Sequence, residues 1–339
     1  MKTYVGLDVS LKETSICVVD DAGVAVKEGV VPSDPDRIVE YLAEYSPMAQ
    51  RVGLESGPTS SWLWRELEAR GLPAICIDAC HASAALSMQI NKSDRNDALG
   101  LARIMQTGWF RRVQVKSENS HRIRALLNAR SLLVQMRRDL ENQIRGLFKS
   151  FGLIIGRANG GVFLKRALDV SQQAPELAGI AGPLLAARAD IDRQRLDLER
   201  QIKRLARGNA QSRAFMTVPG VGPMTALAFL SGIDDPARFT RSRTVGAYLG
   251  LTPRRHASGE MDWTGRISKC GDTMLRTYLF EAANVVLTRT KQNCSLKTWG
   301  MAIAARSGGK KARVAIARKL ATILHRMWCD GSSFKWTTA

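Results

Sequence analysis

Short runs in which apolar and polar residues alternate open the chain, and they predict β-strands. The first three runs follow one another closely, with the turn signal Asp-Ala-Gly before the third, so we expect a three-stranded meander. Helical and strand patterns then alternate, which is the order of an RNase-H-like α/β sheet. The predicted elements are strands over 4–10, 14–20, 24–31, 51–56 and 73–78, and helices over 34–46, 60–71 and 92–106.

From residue 118 to residue 208 the apolar period changes from two to seven. Two such helices around a Gly-rich stretch at 156–161 predict a helical hairpin or an intermolecular coiled coil, with an ordinary helical bundle as an equal alternative. In either case we expect a spacer or dimerisation arm rather than a chemical site. The heptad positions are Leu126, Leu133, Leu140, Leu147, Leu184, Ile191, Leu198 and Leu205, with Ala129, Met136, Ala187 and Ile202 near a second seam.

The last third of the chain predicts a mainly α-helical domain. Gly220 and Gly222 precede a helix-forming run, so they resemble a helix-hairpin-helix turn whose bare backbone N–H groups face a phosphate; a plain connection between two helices is the alternative. Residues 310–328 predict an amphipathic helix with a basic outer side. The predicted domains are an acidic α/β domain at 1–110, a helical coiled-coil arm at 111–210 and a C-terminal domain at 211–339.

Charge is distributed very unevenly along the 339 residues. The formal net charge is +19, yet the first hundred residues carry 9 Lys and Arg against 15 Asp and Glu, and the remainder carries 41 against 16. The strongly basic segment after residue 100 attracts polyanions, and nucleic acid is the commonest polyanion in a cell. The sequence lacks a run of about 20 apolar residues and a secretory start, so we expect no membrane partner and a cytoplasmic, nucleoid-associated protein.

The six cysteines have no C-x-x-C spacing, which favours a reducing compartment over a disulfide scaffold or a zinc site. The stretch "CIDACH" nevertheless places Cys76, Cys80 and His81 close together along the chain. We interpret it as a buried strand that leads into a turn, with metal binding as a minor alternative.

Four carboxylates in the first hundred residues suggest a metal site. Asp8 interrupts an apolar strand, Glu55 ends the fourth strand, and Asp94 and Asp97 lie three residues apart on the following helix. The first and fourth strands of an RNase-H-like sheet are neighbours, so the four side chains can converge. Hard oxygen ligands suit two Mg²⁺ ions about 4 Å apart, as in phosphodiester chemistry. Taken singly, Asp8 could be a turn residue, Asp94 a helix N-cap and Asp97 a surface charge.

A second candidate site is "RRHASG" at 254–259, which follows Pro253 and is therefore predicted to be a loop. Ser258 lies beside Arg254 and Arg255, where a phosphate would be held, and Gly259 lets a backbone approach closely. From these residues alone, Ser258 is a phosphate contact more readily than a nucleophile. The cationic residues expected to bind nucleic acid are Arg254, Arg255, Arg266 and Lys269.

Six motifs in order resemble the DEDD-type transposases of bacterial insertion sequences, the family whose founding element carries the number 110. They are "YVGLDVSLKE", "GLESGPTS", "KSDRNDALGLA", "VPGVGPMTALAFL", "YLGLTPRRHASGE" and "GRISKCGDTMLRTYLFEAA". The resemblance covers nearly the whole chain and implies a RuvC-like N-terminal domain, a coiled-coil middle and a C-terminal transposase domain. By motif match it assigns the acidic tetrad to Asp8, Glu55, Asp94 and Asp97.

The resemblance also implies roles that the residues alone do not. Ser258 takes the place of the nucleophile that forms a covalent serine–DNA phosphodiester, with the Mg²⁺-loaded tetrad completing a composite site. A structured RNA encoded by the element pairs with the DNA in this family, and a dimer or tetramer is expected. His256 is a candidate general base that we disfavour, because the motif does not require histidine there and residues two apart need not face each other. The segment "MDWTG" after Ser258 has no assigned role.

Three other functions compete with a transposase. "GLDVS" also resembles the first phosphate loop of actin-like ATPases and sugar kinases, but heptads and an Arg-rich C-terminus stand where their later motifs belong. A Holliday-junction-type endonuclease would use the tetrad with water as the nucleophile. A catalytically inert nucleic-acid-binding protein would need none of the four carboxylates.

Overall fold

The computed structural model describes residues 2–87, 93–158, 160–259 and 261–336. The chain divides into two compact units, Met1–Lys116 and Ser117–Ala339. The finer division into three domains, with boundaries at 110 and 210, stays a prediction.

The first unit is built on a five-stranded sheet with the order β3-β2-β1-β4-β5. β1 pairs antiparallel with β2 and parallel with β4, and β4 pairs parallel with β5. The structure therefore confirms the mixed α/β sheet and the pairing of the first and fourth strands. The strands are β1 Thr3–Val9, β2 Glu13–Val19, β3 Ala25–Pro32, β4 Ala49–Glu55 and β5 Ala74–Ile77.

Helices cover both faces of this sheet. Ile38 and Leu42 of α1 and Leu63 and Leu67 of α2 pack on one face, and α4 packs on the other. The Asp34 side chain caps α1 by accepting from two backbone N–H groups, which offsets the unpaired donors of its first turn. The helices are α1 Pro35–Tyr45, α2 Ser60–Ala69, α3 Ala79–Leu86 and α4 Asp94–Thr107.

Alternation along β1 explains how α4 comes so close to the sheet. Val5 and Leu7 point to the α1 and α2 face, whereas Gly6 points to α4. A Cβ on Gly6 would lie 2.2 Å from the backbone oxygen of Ala98, so only glycine permits this helix position. Gly53 on β4 has the same function, because its Cβ would meet the Met105 side chain at 2.5 Å.

The second unit is mainly helical with one β-hairpin. Two long helices, α5 and α7, form an arm, and α5, α7, α8 and α11 pack around the almost fully buried α9. The elements are α5 Glu118–Lys149, α6 Gly160–Gln173, α7 Pro175–Gly208, α8 Ala210–Phe215, α9 Pro223–Ile233, a 3₁₀ turn at Pro236–Arg238, α10 Thr244–Tyr248, β6 Pro253–Ser258, β7 Met261–Ile267, α11 Thr273–Thr288, α12 Ser295–Ser307 and α13 Gly309–Asp330.

Ion pairs set the register of the arm. They join residues at rising positions on α5 to residues at falling positions on α7, so the two helices run antiparallel within one chain. The inter-helix pairs are Arg130–Glu199, Arg137–Asp192 and Arg188–Glu141, at 2.6, 3.1 and 2.8 Å. Arg195 links the first two pairs from its own helix, because it contacts both Asp192 and Glu199.

The heptad prediction for the arm is only partly matched. Leu126, Leu133 and Leu140 are half-buried, whereas Met136 and Leu205 are exposed. The reason is that apolar packing is confined to the two ends of the helix pair, and Arg–carboxylate pairs occupy its centre. A coiled coil between chains stays a prediction.

The apolar core of the second unit joins the base of the arm to the C-terminal helices. Ile123 of α5 and Ile202 of α7 pack with α9, α11 and α13 in one cluster. Phe215, Phe229 and Trp328 meet in edge and tilted ring contacts inside it. The amphipathic helix predicted over 310–328 is present as α13, whose apolar side is buried here.

Candidate functional site

Two strand ends bring the first two carboxylates side by side. Asp8 follows Leu7 near the carboxyl end of β1, and Glu55 follows Leu54 at the end of β4. Leu7 and Leu54 are direct partners in the parallel ladder, so Asp8 and Glu55 occupy adjacent positions at the same edge of the sheet. Both side chains are half-buried.

The pleat directs both carboxylates to the face on which α4 packs. Residues two apart on a strand share a face, so Asp8 shares the face of Gly6 and Glu55 that of Gly53. Both glycines are in close contact with α4. The sheet therefore presents the two carboxylates to this one helix.

The direction of α4 brings the second pair of carboxylates to the same edge. Arg51, near the start of β4, donates a 2.6 Å hydrogen bond to the Met105 carbonyl, so the carboxyl-terminal part of α4 lies near the strand beginnings. The first turn of α4 then lies towards the strand ends. Asp94 and Asp97 are in that turn, one turn before the buried Ala98 and Leu101, and so extend the sheet-facing side of the helix.

The cap of α4 differs from one sequence-based interpretation. Ser93, not Asp94, is the N-cap, and its side chain accepts a hydrogen bond from the Asn96 backbone N–H. Serine takes this position because its hydroxyl reaches the donors of the first turn. The Asp94 carboxylate is therefore not used for capping and is exposed at the helix start.

The tetrad thus shares one edge and one face of the sheet. In the described ranges, no three His, Cys, Asp or Glu side chains are gathered closely enough to hold a metal ion. The donor set nonetheless fits a hard divalent cation, because all four groups are carboxylates. The chain places the four carboxylates at one edge without closing them into a cluster.

The cysteines near β5 form no competing metal site in the described part of the chain. Cys76 is buried in β5, and burial raises the pKa of its thiol. Cys80 is exposed in α3, and the His81 ring makes an edge contact with Trp109. The interpretation of this stretch as a buried strand followed by a turn is confirmed for the strand, whereas a short helix takes the place of the turn.

The segment around Ser258 is a β-hairpin, so the prediction of a loop was wrong. Pro253 begins β6, where its missing N–H is tolerated at an exposed edge, and the unassigned "MDWTG" forms most of β7. The strand pairing makes neighbours of residues that a loop would not bring together. His256 faces Trp263, and Ser258 faces Met261. Pairing of two exposed strands, rather than a hydrophobic core, gives this segment its structure.

Ser258 is the last residue of β6, beside the tip of the hairpin. Every residue of β6 is exposed, so the Ser258 hydroxyl is open to a large substrate. Gly259 has φ of +55°, a left-handed conformation that glycine adopts readily. His256 lies on the same face as Ser258, because both are on one strand two residues apart.

The His256 ring stacks on the indole of Trp263, with ring centroids 4.3 Å apart and 18° between their planes. Trp263 nevertheless remains 55% exposed. Trp263 was not among the residues predicted to be functional. The alternation of exposed and strand-forming residues in "MDWTGRI" was the signal that could have placed it opposite His256.

The cationic residues of the hairpin are not equivalent. Arg255 holds Asp262 with two hydrogen bonds of 2.8 and 2.6 Å, and this contact lowers the pKa of the Asp262 carboxyl. Arg254 donates to the Ser268 carbonyl at 3.2 Å while staying exposed. Arg266 and Lys269 are also exposed. Arg255 therefore has a structural role in the hairpin in addition to any contact with phosphate.

The two glycines of the predicted helix-hairpin-helix turn have different surroundings. Gly220 has φ of +80°, and a Cβ there would lie 2.4 Å from the Ala282 carbonyl of α11. Packing against α11 therefore accounts for a glycine at position 220. Gly222 caps α9 and has open space beside it. Phosphate binding at this turn stays a prediction.

No helix among the residues that the structure describes is long and apolar enough to cross a membrane.

Comparison with known proteins covers both units. The family model described as "Transposase IS116/IS110/IS902 family" matches residues 212–299, and the transposase model for the DEDD proteins of the IS110 type matches residues 5–152.

Two curated relatives are similar over most of the chain. The transposase for insertion sequence element IS1111A of Coxiella burnetii is 30% identical over 328 residues, which cover 94% of this chain and 87% of that protein. A Pseudomonas aeruginosa protein named "Probable family 20 transposase" is 34% identical over 246 residues, 69% of this chain and 71% of its own length.

Proposed function

Because the chain belongs to the IS116/IS110/IS902 family of transposases, we propose that it cuts and rejoins DNA with the acidic tetrad and Ser258 acting together. The observation that carries the proposal is the shared edge of the sheet. Two strand ends and the first turn of α4 lie at one edge and on one face, which supports a joint role for Asp8, Glu55, Asp94 and Asp97. Like charges collected in this way need cations between them before they can approach DNA phosphates.

The tetrad would hold divalent cations, with Mg²⁺ as the proposed metal and two as the proposed number. Asp8 and Glu55 are fixed by the packed strands β1 and β4, whereas Asp94 and Asp97 belong to the exposed end of a helix. When bound, such ions stabilise the negative charge that develops on the attacking and leaving oxygens. The four carboxylates bind and orient; none of them is required as a nucleophile.

Ser258 is the proposed nucleophile. Its Oγ gives up a proton and forms a bond to the phosphorus, while the bond from that phosphorus to one deoxyribose oxygen breaks and the released oxygen takes a proton. The product is a serine–DNA phosphodiester, whose bond energy is available when a new DNA hydroxyl attacks and releases Ser258. Exposure of β6 supports this role, because a duplex end needs an accessible hydroxyl.

Exposed cations near the serine support the binding of DNA. Arg254, Arg266 and Lys269 are exposed and can contact phosphates. Arg255, which binds Asp262 on the same hairpin, would add a further positive charge. Gly222, at the open start of α9, is a further proposed phosphate contact, with Gly220 shaping the turn before it.

A structured guide RNA is part of the proposal because the family resemblance implies it, and the net charge of +19 favours binding of polyanions in general. We also propose a homo-oligomer, dimer or tetramer, assembled through the arm, and action on DNA in the bacterial cytoplasm. Recombination measured with and without the transcript that flanks the element tests the RNA. Equal recombination without the RNA would rule out the guide RNA and leave the rest of the proposal unchanged.

Covalent trapping tests the nucleophile. Labelled DNA carrying the element ends is mixed with protein, and denaturing electrophoresis reports DNA that stays attached. Ser258→Ala should lose the adduct, whereas Thr264→Ala, which removes an exposed hydroxyl from the other strand of the same hairpin, should keep it. An adduct that persists in Ser258→Ala rules out this serine.

The tetrad has its own test. Asp8→Asn should abolish metal-dependent cleavage with DNA binding intact, whereas Asp21→Asn, an exposed aspartate in the same unit, should cleave normally. Full cleavage by Asp8→Asn would contradict the assignment. Cleavage that needs the tetrad but leaves no adduct would instead indicate a water-using endonuclease.

A further inference from the structure

The face of the hairpin that carries Ser258 also carries an aromatic surface. Cross-strand pairing places His256 beside Trp263 and Ser258 beside Met261, and residues two apart on a strand share a face. Met261 is 67% exposed and Trp263 is 55% exposed. The serine, the stacked rings and the methionine therefore form one open surface.

Hairpin stability alone does not account for an exposed indole at this position. A cross-strand pair contributes roughly 0.2–1 kcal/mol, and β-branched residues serve as well. The His256 ring lies nearly parallel to the indole and so holds it in one orientation. An aromatic ring fixed in this way is a suitable surface for stacking a nucleobase, which every base can do through its π-face.

Charge favours nucleic acid over a protein partner for this face. Residues 253–259 and 261–267 contain one carboxylate, that of Asp262. It projects from the opposite face, where Arg255 binds it. Arg254, two residues before His256 on β6, is exposed, and the exposed Arg266 and Lys269 follow in the chain. An aromatic surface with cationic neighbours and no described carboxylate is complementary to a base with its phosphates.

We infer that Trp263, held by His256, stacks an unpaired base of the DNA strand whose phosphate contacts Ser258. The inference rests on the proposed function, because Ser258 defines which phosphate is meant. Ser258 and His256 are two positions apart on β6, about 7 Å, which is within reach of the base attached to that nucleotide. Trp263 thus contacts the substrate and helps to extrude and position the reacting nucleotide.

Binding measurements test the inference without cleavage. The protein with Ser258→Ala is titrated, in the presence of a metal chelator, with a thymidine oligonucleotide of about twelve units and with an abasic phosphodiester chain of equal length. The protein that retains Trp263 should prefer the thymidine strand about tenfold, as one stacked base predicts. Trp263→Thr, which keeps a strand-forming residue, should lose the preference but bind the abasic chain as before.

Two controls make the result specific. Trp263→Phe keeps a ring and should restore most of the preference, whereas Trp299→Thr, which removes a 43% exposed tryptophan of α12, should leave it unchanged. An unaltered preference in Trp263→Thr overturns the inference. Dependence on Trp263 only with a uridine RNA strand overturns its assignment to DNA. Because neither metal nor Ser258 takes part, these outcomes are independent of the trapping experiment.

Discussion

The acidic edge and the serine hairpin are held in place by opposite means. Asp8 follows Val5 and Leu7, which are fully buried, and α4 lies directly on Gly6. Ser258 belongs to a strand with no buried residue, whose partner strand is held by backbone pairing, an ion pair and one ring stack. Changes to the packed residues beneath the acidic edge should therefore act through folding, whereas changes in the hairpin should act through DNA binding or chemistry alone.

The largest expected effect is that of Gly6→Ala. The new methyl group would overlap the Ala98 carbonyl, and backbone atoms cannot rotate away as a side chain can. We expect the first unit to lose about 3 kcal/mol or more of unfolding free energy, and metal-dependent cleavage with it. Chemical denaturation followed by circular dichroism measures the loss.

Gly57→Ala is the matched control for Gly6→Ala, because Gly57 has open space around it and lies just beyond β4. It should leave the denaturation midpoint unchanged. A stable, active Gly6→Ala protein would mean that α4 does not rest on the strand, and the argument for convergence at the edge would fail.

A buried ion pair in the arm gives the next largest effect. Arg188 and Glu141 are each 3% exposed, and Arg188 holds one Glu141 oxygen with two nitrogens. Glu141→Gln should cost about 3 kcal/mol, because it removes the nearer counter-charge of a buried guanidinium, which keeps only Asp192 at 3.9 Å. Thermal unfolding measures it, and Asp190→Asn in the exposed Arg193–Asp190 pair should change little. Equal effects of the two variants would contradict this difference.

Cys17 gives a smaller effect that appears only at alkaline pH. Burial beneath α4, together with the Glu28 charge, raises the pKa of the Cys17 thiol to about 11 from an ordinary 9.0. The folded state thus favours the neutral thiol, so this contribution to stability is complete below pH 9 and is lost as the pH rises towards 11. Unfolding midpoints of the parent protein should fall across that interval.

The Cys17→Ala variant should show a shallower alkaline decline than the parent protein, when each is compared with its own midpoint at pH 7. The same decline in both proteins would assign the alkaline loss to other groups. Tyr41 is one of these, since burial raises the pKa of its hydroxyl to about 12.

The sheet could be predicted from the sequence because its determinants are local. Alternation in β1 and β2, the turn signal before β3 and the apolar spacing of the helices are all visible without tertiary information. The placement of Asp8 and Glu55 follows once β1 and β4 are paired. The role of Gly6 could not be predicted, because it depends on how closely α4 approaches.

The hairpin and the centre of the arm could not be predicted for a shared physical reason. Both are stabilised by ion pairs between two elements rather than by a repeating apolar pattern. Arg255 pairs with Asp262 across the hairpin, and Arg137 pairs with Asp192 across the arm. Pro253 and the glycines around Ser258 indicated a loop, and only strand pairing overrides such signals. The heptads likewise located the helices of the arm but not the charges between them.

The Arg255–Asp262 pair in the hairpin should give the smallest effect on global stability. Arg255 contacts both oxygens of Asp262, whereas Arg188 contacts one oxygen of Glu141, but both side chains of the hairpin pair are exposed, so water screens the attraction. Asp262→Asn should leave the unfolding midpoint unchanged and speed backbone amide exchange within 253–267, because the two strands lose a cross-link. Hydrogen exchange followed by mass spectrometry measures this, with Asp262→Glu as the variant that keeps the charge.

The pH dependence of the Arg255–Asp262 contact follows from the direction in which the pKa of Asp262 is shifted. The Arg255 hydrogen bond lowers the pKa of the Asp262 carboxyl below its usual 3.8, so the contact is complete above pH 3.8 and is lost as the pH falls through the lower folded value. Protection of the hairpin in the parent protein, relative to Asp262→Asn, should therefore disappear only in strong acid. A difference that already vanishes near neutral pH, or a large drop in global stability for Asp262→Asn, would mean that the hairpin is part of a packed core after all.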